Sequence, residues 1–211
     1  MSTIESVAAL SPVKLTKAEK KVEEDNKSIF GFWLYLMTDC VLFASLFATY
    51  AVLHNNNFGG QTAHQLFSMP YALAETLILL TSSFSCGLSI LTFKKKYLSA
   101  GINWLIVTFV LGVSFITLEL GEFIKLYHQG NRWQRSGFLS SYFTLVGTHG
   151  LHITIGLIWM IVMIWRLLSS KAKLNRKFIR QLTLLSLFWH FLDVVWIFIF
   201  SIVYLFGGLG I

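Results

Sequence analysis

The chain has 211 residues, 55% of them hydrophobic, 16% aromatic and only 13% charged; soluble domains carry about 25% charged residues. Two prolines and two cysteines exclude a proline-rich linker protein and a disulfide scaffold, since Cys40 and Cys86 sit in apolar runs without CxxC spacing. The net charge of +7 is not a nucleic-acid signature, because the basic residues fall in short breaks between apolar runs and form no continuous face.

Residues 1–29 read as a polar tail with mixed Lys/Glu spacing and no apolar core, so they are not a cleavable signal peptide. Beyond them, five stretches reach the roughly 20 apolar residues a bilayer-spanning helix needs: about 30–53, 71–93, 102–124, 138–165 and 182–206. The first is followed by Asn55-Asn56-Asn57 and Gly59-Gly60, a loop composition. Pro70 suits the first turn of the second helix, Lys94-Lys95-Lys96 end it, and Ser136 is placed to cap the fourth. The predicted fold is an all-α integral membrane protein, a bundle of five transmembrane helices occupying residues 30–211.

Orientation follows from lysine and arginine counts. The tail and the connections near 94–101 and 166–181 share one side and hold fourteen basic residues; the other side holds Lys125, Arg132 and Arg135. This predicts a cytoplasmic N-terminus and a periplasmic C-terminus. Trp33, Trp104, Trp133 and Trp165 fall near span ends, as an aromatic belt requires.

Several ionisable groups lie where a charge costs roughly 2.5–3.5 kcal/mol on insertion scales. Asp39 falls about 14 Å into the first span, and His149 and Asp193 about 16 Å into the fourth and fifth, at helical rise. His152 and His190 lie three residues from His149 and Asp193, so each pair shares a helix face. These faces are expected to turn inward and form carboxylate–imidazole contacts. The cluster Asp39, His149, His152, His190 and Asp193 can be a register-fixing structural network, a proton-handling or lipid-headgroup site, or a metal or haem site. No ExxH motif supports the last of these. Glu75, Glu119 and Glu122 read as interfacial acids, with Glu122 and Lys125 one turn apart as an interfacial ion pair. Small residues at helical spacing (Ala44/Ala48, Ser45/Thr49, Ser83/Gly87, Gly147/Gly150) predict close helix packing.

The sequence holds no Gly-rich phosphate loop, GxSxG, HExxH or CxxCH. Spans without a catalytic motif point to a subunit or a transporter. A proton transporter built on the Asp/His cluster and a haem-binding membrane redox protein are the alternatives to a subunit. No proline or paired-glycine break of the kind transporters use interrupts the spans.

The runs GFWLYLMTDCVLFASLFATYAVL (31–53), SGFLSSYFTLVGTHGLHITIGLIWM (136–160) and SLFWHFLDVVWIFIFSIVYLFG (186–207) resemble subunit III of the haem–copper respiratory oxidases. The five-span length and the LMTDCVLF wording are most similar to the cytochrome o ubiquinol oxidase branch. The resemblance implies a subunit without redox centres or catalytic, cofactor or metal residues of its own. It would sit in a bacterial inner membrane, in a complex that oxidises ubiquinol, reduces O₂ to water and pumps protons. Haem and copper would lie in subunit I, the main contact; subunits II and IV and phospholipids would be the other partners. The membrane carboxylate of the family falls on Asp39.

Overall fold

The computed structural model describes residues 17–54, 69–130, 134, 136–169 and 176–206. The described residues form five helices: α1 (Lys17–Leu53), α2 (Met69–Lys94), α3 (Leu98–His128), α4 (Gly137–Leu168) and α5 (Arg176–Ile199), the last continuing as π-helical turns over Phe200–Phe206. All five are long and apolar enough to cross a membrane. The Asn/Gly-rich connection after α1, Arg132, Trp133, Arg135 and residues 170–175 lie outside the described residues.

The helices outrun the apolar stretches that predict them because their flanks are also good helix formers. α1 begins at Lys17, inside the polar stretch, where Glu23 and Lys27 form an i,i+4 pair at 2.7 Å. Glutamate on the N-terminal side is the favourable order for such a pair. Pro70 occupies the second position of α2, where its missing N–H costs no hydrogen bond. α2 and α3 are joined tightly. Lys96 takes a left-handed φ of 65°, and its N–H and that of Tyr97 donate back to the carbonyls of Phe93 and Thr92. Gly130, at φ 78°, closes α3 in the same way. Ser136 caps α4, its hydroxyl accepting from the Leu139 N–H at 3.2 Å. α3 has 31 residues and so spans about 46 Å, against a hydrocarbon thickness of about 30 Å. Its ends therefore reach past the hydrocarbon or the helix tilts.

Among the described residues, those up to Tyr35 belong to one compact unit and those from Leu36 onward to the other. In the second unit α2 packs on α3, α3 on α4, α4 on α5 and α5 back on α2, a closed ring of four helices. Trp189, Trp196, Tyr142, Tyr204 and Phe115 fill its interior. The segment of α1 from Leu36 lies against the ring through Phe43, Phe47 and Tyr50, whose rings meet Phe191, Phe198 and Phe138. Val41, Phe84, Val110 and Ile158 cover the outside, an apolar exterior suited to lipid. Trp104 and Trp165 are exposed near helix ends.

One close approach depends on a glycine. A Cβ on Gly112 of α3 would stand 2.9 Å from the Trp189 ring and from Leu157, so the three helices meet only because that atom is missing. Of the small-residue pairs, Ala44/Ala48 and Ser45/Thr49 lie on an exposed face of α1 and do not pack inside the chain. There the two hydroxyls bond carbonyls of their own helix, so apolar spacing alone did not reveal which side faced the ring.

Candidate functional site

Three polar clusters lie within the helices, and each draws on residues from different spans. The first joins α1 to α4. Asp39 Oδ2 lies 3.9 Å from His152 Nε2, within ion-pair range, and both side chains are largely buried. His152 Nδ1 donates to the Thr148 carbonyl at 2.7 Å, which fixes the ring and turns Nε2 toward the carboxylate. His149 departs from the expected pattern. It is fully buried and no hydrogen-bond partner reaches either nitrogen. Its ring stacks on Trp196 at 5.3 Å and meets the edges of Phe115 and Phe43. The expected carboxylate contact is replaced at this residue by an aromatic box built from α1, α3 and α5.

The second cluster lies where α2 meets α5. His190 and Asp193 share a face, but Ser83 of α2 stands between them. Its hydroxyl is 3.1 Å from His190 Nδ1 and also interacts with Asp193. Asp193 is buried and its Oδ1 has no partner, whereas His190 is exposed on the outside of the chain. An inward-turned imidazole was expected at that position. The structure places the acid inside and the base outside because one helical turn separates two residues by about 60° around the axis.

The third cluster holds the three glutamates that the sequence places near span ends. Glu75, Glu119 and Glu122 are 0%, 4% and 8% exposed, so they point into the bundle and not along its rim. Glu122 accepts from Tyr204 Oη at 2.9 Å and from Tyr142 Oη at 3.4 Å, and those phenols are 3.0 Å apart. Glu122 is also within electrostatic reach of Lys125, whose side chain is exposed, while its hydrogen bonds go to the phenols. Both Glu75 oxygens and Glu119 Oε2 have no hydrogen-bond partner. The Glu119 carboxylate rests over Gly150, where a Cβ would stand 2.7 Å from Oε1. It floors a shallow groove between α3 and α4 that Phe123, Gly147 and Thr154 help to line.

The sequence reading missed a fourth element, a row of indole-to-hydroxyl bonds holding α5 to α2. Trp189 Nε1 donates to Ser82 and Trp196 Nε1 to Thr76, both at 3.1 Å. Ser82 and Ser85 in turn bond Thr108 of α3 through its carbonyl and hydroxyl, and Ser89 bonds the Gly101 carbonyl. The signal was available in the serine-rich wording TSSFSCGLS, with Ser82, Ser85 and Ser89 at helical spacing. Among the described residues no three His, Cys, Asp or Glu side chains are arranged to hold a metal ion.

Five long apolar helices joined by buried polar contacts between spans define a polytopic membrane protein. Comparison with known proteins gives the family. The profile described as cytochrome c oxidase subunit III matches residues 17–208, and the chain belongs to that family. It is 50% identical over 187 residues to the cytochrome bo(3) ubiquinol oxidase subunit 3 of Pseudomonas aeruginosa, covering 89% of this chain and 88% of that protein. It is 49% identical to the same subunit of Buchnera aphidicola subsp. Baizongia pistaciae (86% and 93% covered). It is 42% identical to the cytochrome c oxidase subunit 3 of Bacillus sp. PS3 (89% of each chain).

Proposed function

We propose that the chain is subunit III of a haem–copper quinol oxidase in a bacterial inner membrane, an accessory subunit without a redox centre that supports assembly and stability beside subunit I. The observation that carries the reading is the fate of its buried imidazoles. His152 is committed to Asp39 and Thr148, and His149 to an aromatic box, so the THGLH segment spends its histidines on holding α4 in register. In hydrocarbon such contacts are the available substitute for water. Haem and copper belong, on this reading, to subunit I; subunits II and IV and membrane phospholipids complete its surroundings, and ubiquinol is the substrate of the whole complex. Identities of 49–50% to three ubiquinol oxidase subunits, against 42% to the cytochrome c oxidase subunit, support ubiquinol. The fourteen-to-three division of basic residues supports a cytoplasmic N-terminus and a periplasmic C-terminus.

The test is purification of the tagged chain from its own membranes in mild detergent. A haem-bearing partner is expected in the same particle, while the chain stripped of partners shows no Soret band. A Soret band retained by the chain alone, or proton flux through the reconstituted chain alone that Asp39→Asn abolishes, overturns the reading.

A further inference from the structure

We propose that the face centred on His190, where α2 and α5 meet, docks a transmembrane helix of another subunit that presents a hydrogen-bonding side chain to His190 Nε2. His190 lies eight residues beyond Leu182, where the fifth apolar stretch begins, and so about 12 Å into the span at helical rise. An imidazole is too short to reach water from that depth. Its ring is oriented by Ser83, which occupies Nδ1 at 3.1 Å, and the residue is exposed on the outside of the chain.

The rest of the exterior shows how this chain treats polar groups that face lipid. Thr81, Ser114, Thr144, Thr154 and Thr183 are exposed, and each closes its hydroxyl onto a carbonyl of its own helix. Such back-bonding leaves nothing for hydrocarbon to desolvate. An imidazole cannot do this with both nitrogens. His190 Nε2 therefore needs a partner from outside the chain, and lipid tails offer none.

The surface around it has the form of a helix seat. Nε2 is 4.0 Å from the point where a Cβ on Gly87 would stand, so the glycine leaves a shallow floor beside the ring. Phe84 on α2 and Val194 on α5, 67% and 51% exposed, flank that floor. A small residue next to a polar one at mid-span is the pattern through which transmembrane helices approach and bond one another. The proposal rests on the chain being one subunit of a larger membrane complex, the reading given above.

The experiment uses the full chain, expressed with its partners in native membranes, carrying a photoreactive benzoylphenylalanine at position 84 or 194. Positions 110 and 162, exposed on α3 and α4, serve as controls. A covalent adduct with a different polypeptide is expected at 84 and 194 and not at the controls. Adducts at 84 and 194 with lipid alone, or with a second copy of this chain, overturn the proposal. In parallel, His190→Leu should lower the partner recovered per tagged chain about threefold to eighteenfold, the range of a lost interhelical hydrogen bond. His190→Gln, which keeps a polar tip, should restore most of it. Unchanged recovery with His190→Leu overturns the proposal. Absence of any haem-bearing partner from the wild-type preparation counts instead against the subunit reading, so the two failures are distinguishable.

Discussion

Tyr204 Oη donates to Glu122 Oε2 at 2.9 Å, and the backbone widens to π-helical turns in the segment that carries the tyrosine. A wider turn shifts each later side chain around the axis relative to an α-helix. Here it carries Tyr204 into the ring interior, where it meets both Glu122 and Tyr142. No proline or glycine interrupts Phe200–Phe206, so the turn is held by the contacts it makes.

The first prediction follows from that contact. Tyr204→Phe removes one donor to Glu122 while Tyr142 remains, and should lower stability by about 0.6–1.7 kcal/mol, the range for interhelical hydrogen bonds in membranes. Glu122→Ala removes the acceptor shared by two buried phenols and should cost more, about 1–3 kcal/mol. Detergent-titrated unfolding of the purified chain or complex reads both. Equal stability of the alanine variant and the wild type would contradict the network.

Gly112 gives a packing prediction. A Cβ there would meet the Trp189 ring and Leu157 at 2.9 Å, and both neighbours are buried in the ring of helices. Gly112→Ala should therefore destabilise by about 1–3 kcal/mol through overpacking, despite the better helix propensity of alanine. Gly87→Ala is the control. Its Cβ would meet nothing closer than 4.0 Å, so it should be near neutral in the isolated chain. A reversed order in thermal denaturation would show that α3 and α5 do not approach as closely as described.

The five spans were legible because lipid imposes one simple demand, a long apolar run, and charges or Asn/Gly-rich stretches mark the breaks. The interior was only half legible. Spacing of three identified His190 with Asp193 and His149 with His152, yet it could not say which member of each pair faces inward. That depends on the rotation of each helix, which is set by bulky anchors such as Trp189 and Trp196. The glutamates show the same limit. Glu75, Glu119 and Glu122 sit near span ends in the sequence, where an interfacial place is the cheap assumption. What holds Glu122 inward is the pair Tyr142 and Tyr204, one of them on π-helical turns that no sequence pattern announced.

Asp39 and His152 allow a coupling measurement. At 3.9 Å the pair is an ion-pair contact across α1 and α4 with no hydrogen bond recorded for Asp39 Oδ2. The imidazole is held independently by the Thr148 carbonyl. Asp39→Asn and His152→Gln should each destabilise modestly, and the double variant should lose less than their sum, with a coupling of about 0.5–1.7 kcal/mol. Strict additivity in a double-mutant cycle would mean that the two groups do not feel each other. The same variants should leave haem content per complex unchanged if the pair holds helices together and does no chemistry.

Trp189 and Ser82 supply the sharpest separation of polar from apolar contributions. The indole is 1% exposed, and its Nε1 donates to Ser82 at 3.1 Å while its ring lies against Gly112 and Gly156. Ser82→Ala keeps the ring in place and removes the acceptor, leaving a buried N–H unpaired, and should cost about 1–3 kcal/mol. Trp189→Phe removes donor and volume together and opens a cavity beside both glycines, so its cost should be larger, about 3 kcal/mol or more. If Ser82 then has no further role, Ser82→Ala made in the Trp189→Phe background should add little, because the donor it would orphan is already gone. A serine substitution that costs as much without the indole as with it would place the value of Ser82 in its other bond, to the Thr108 carbonyl at 3.2 Å on α3.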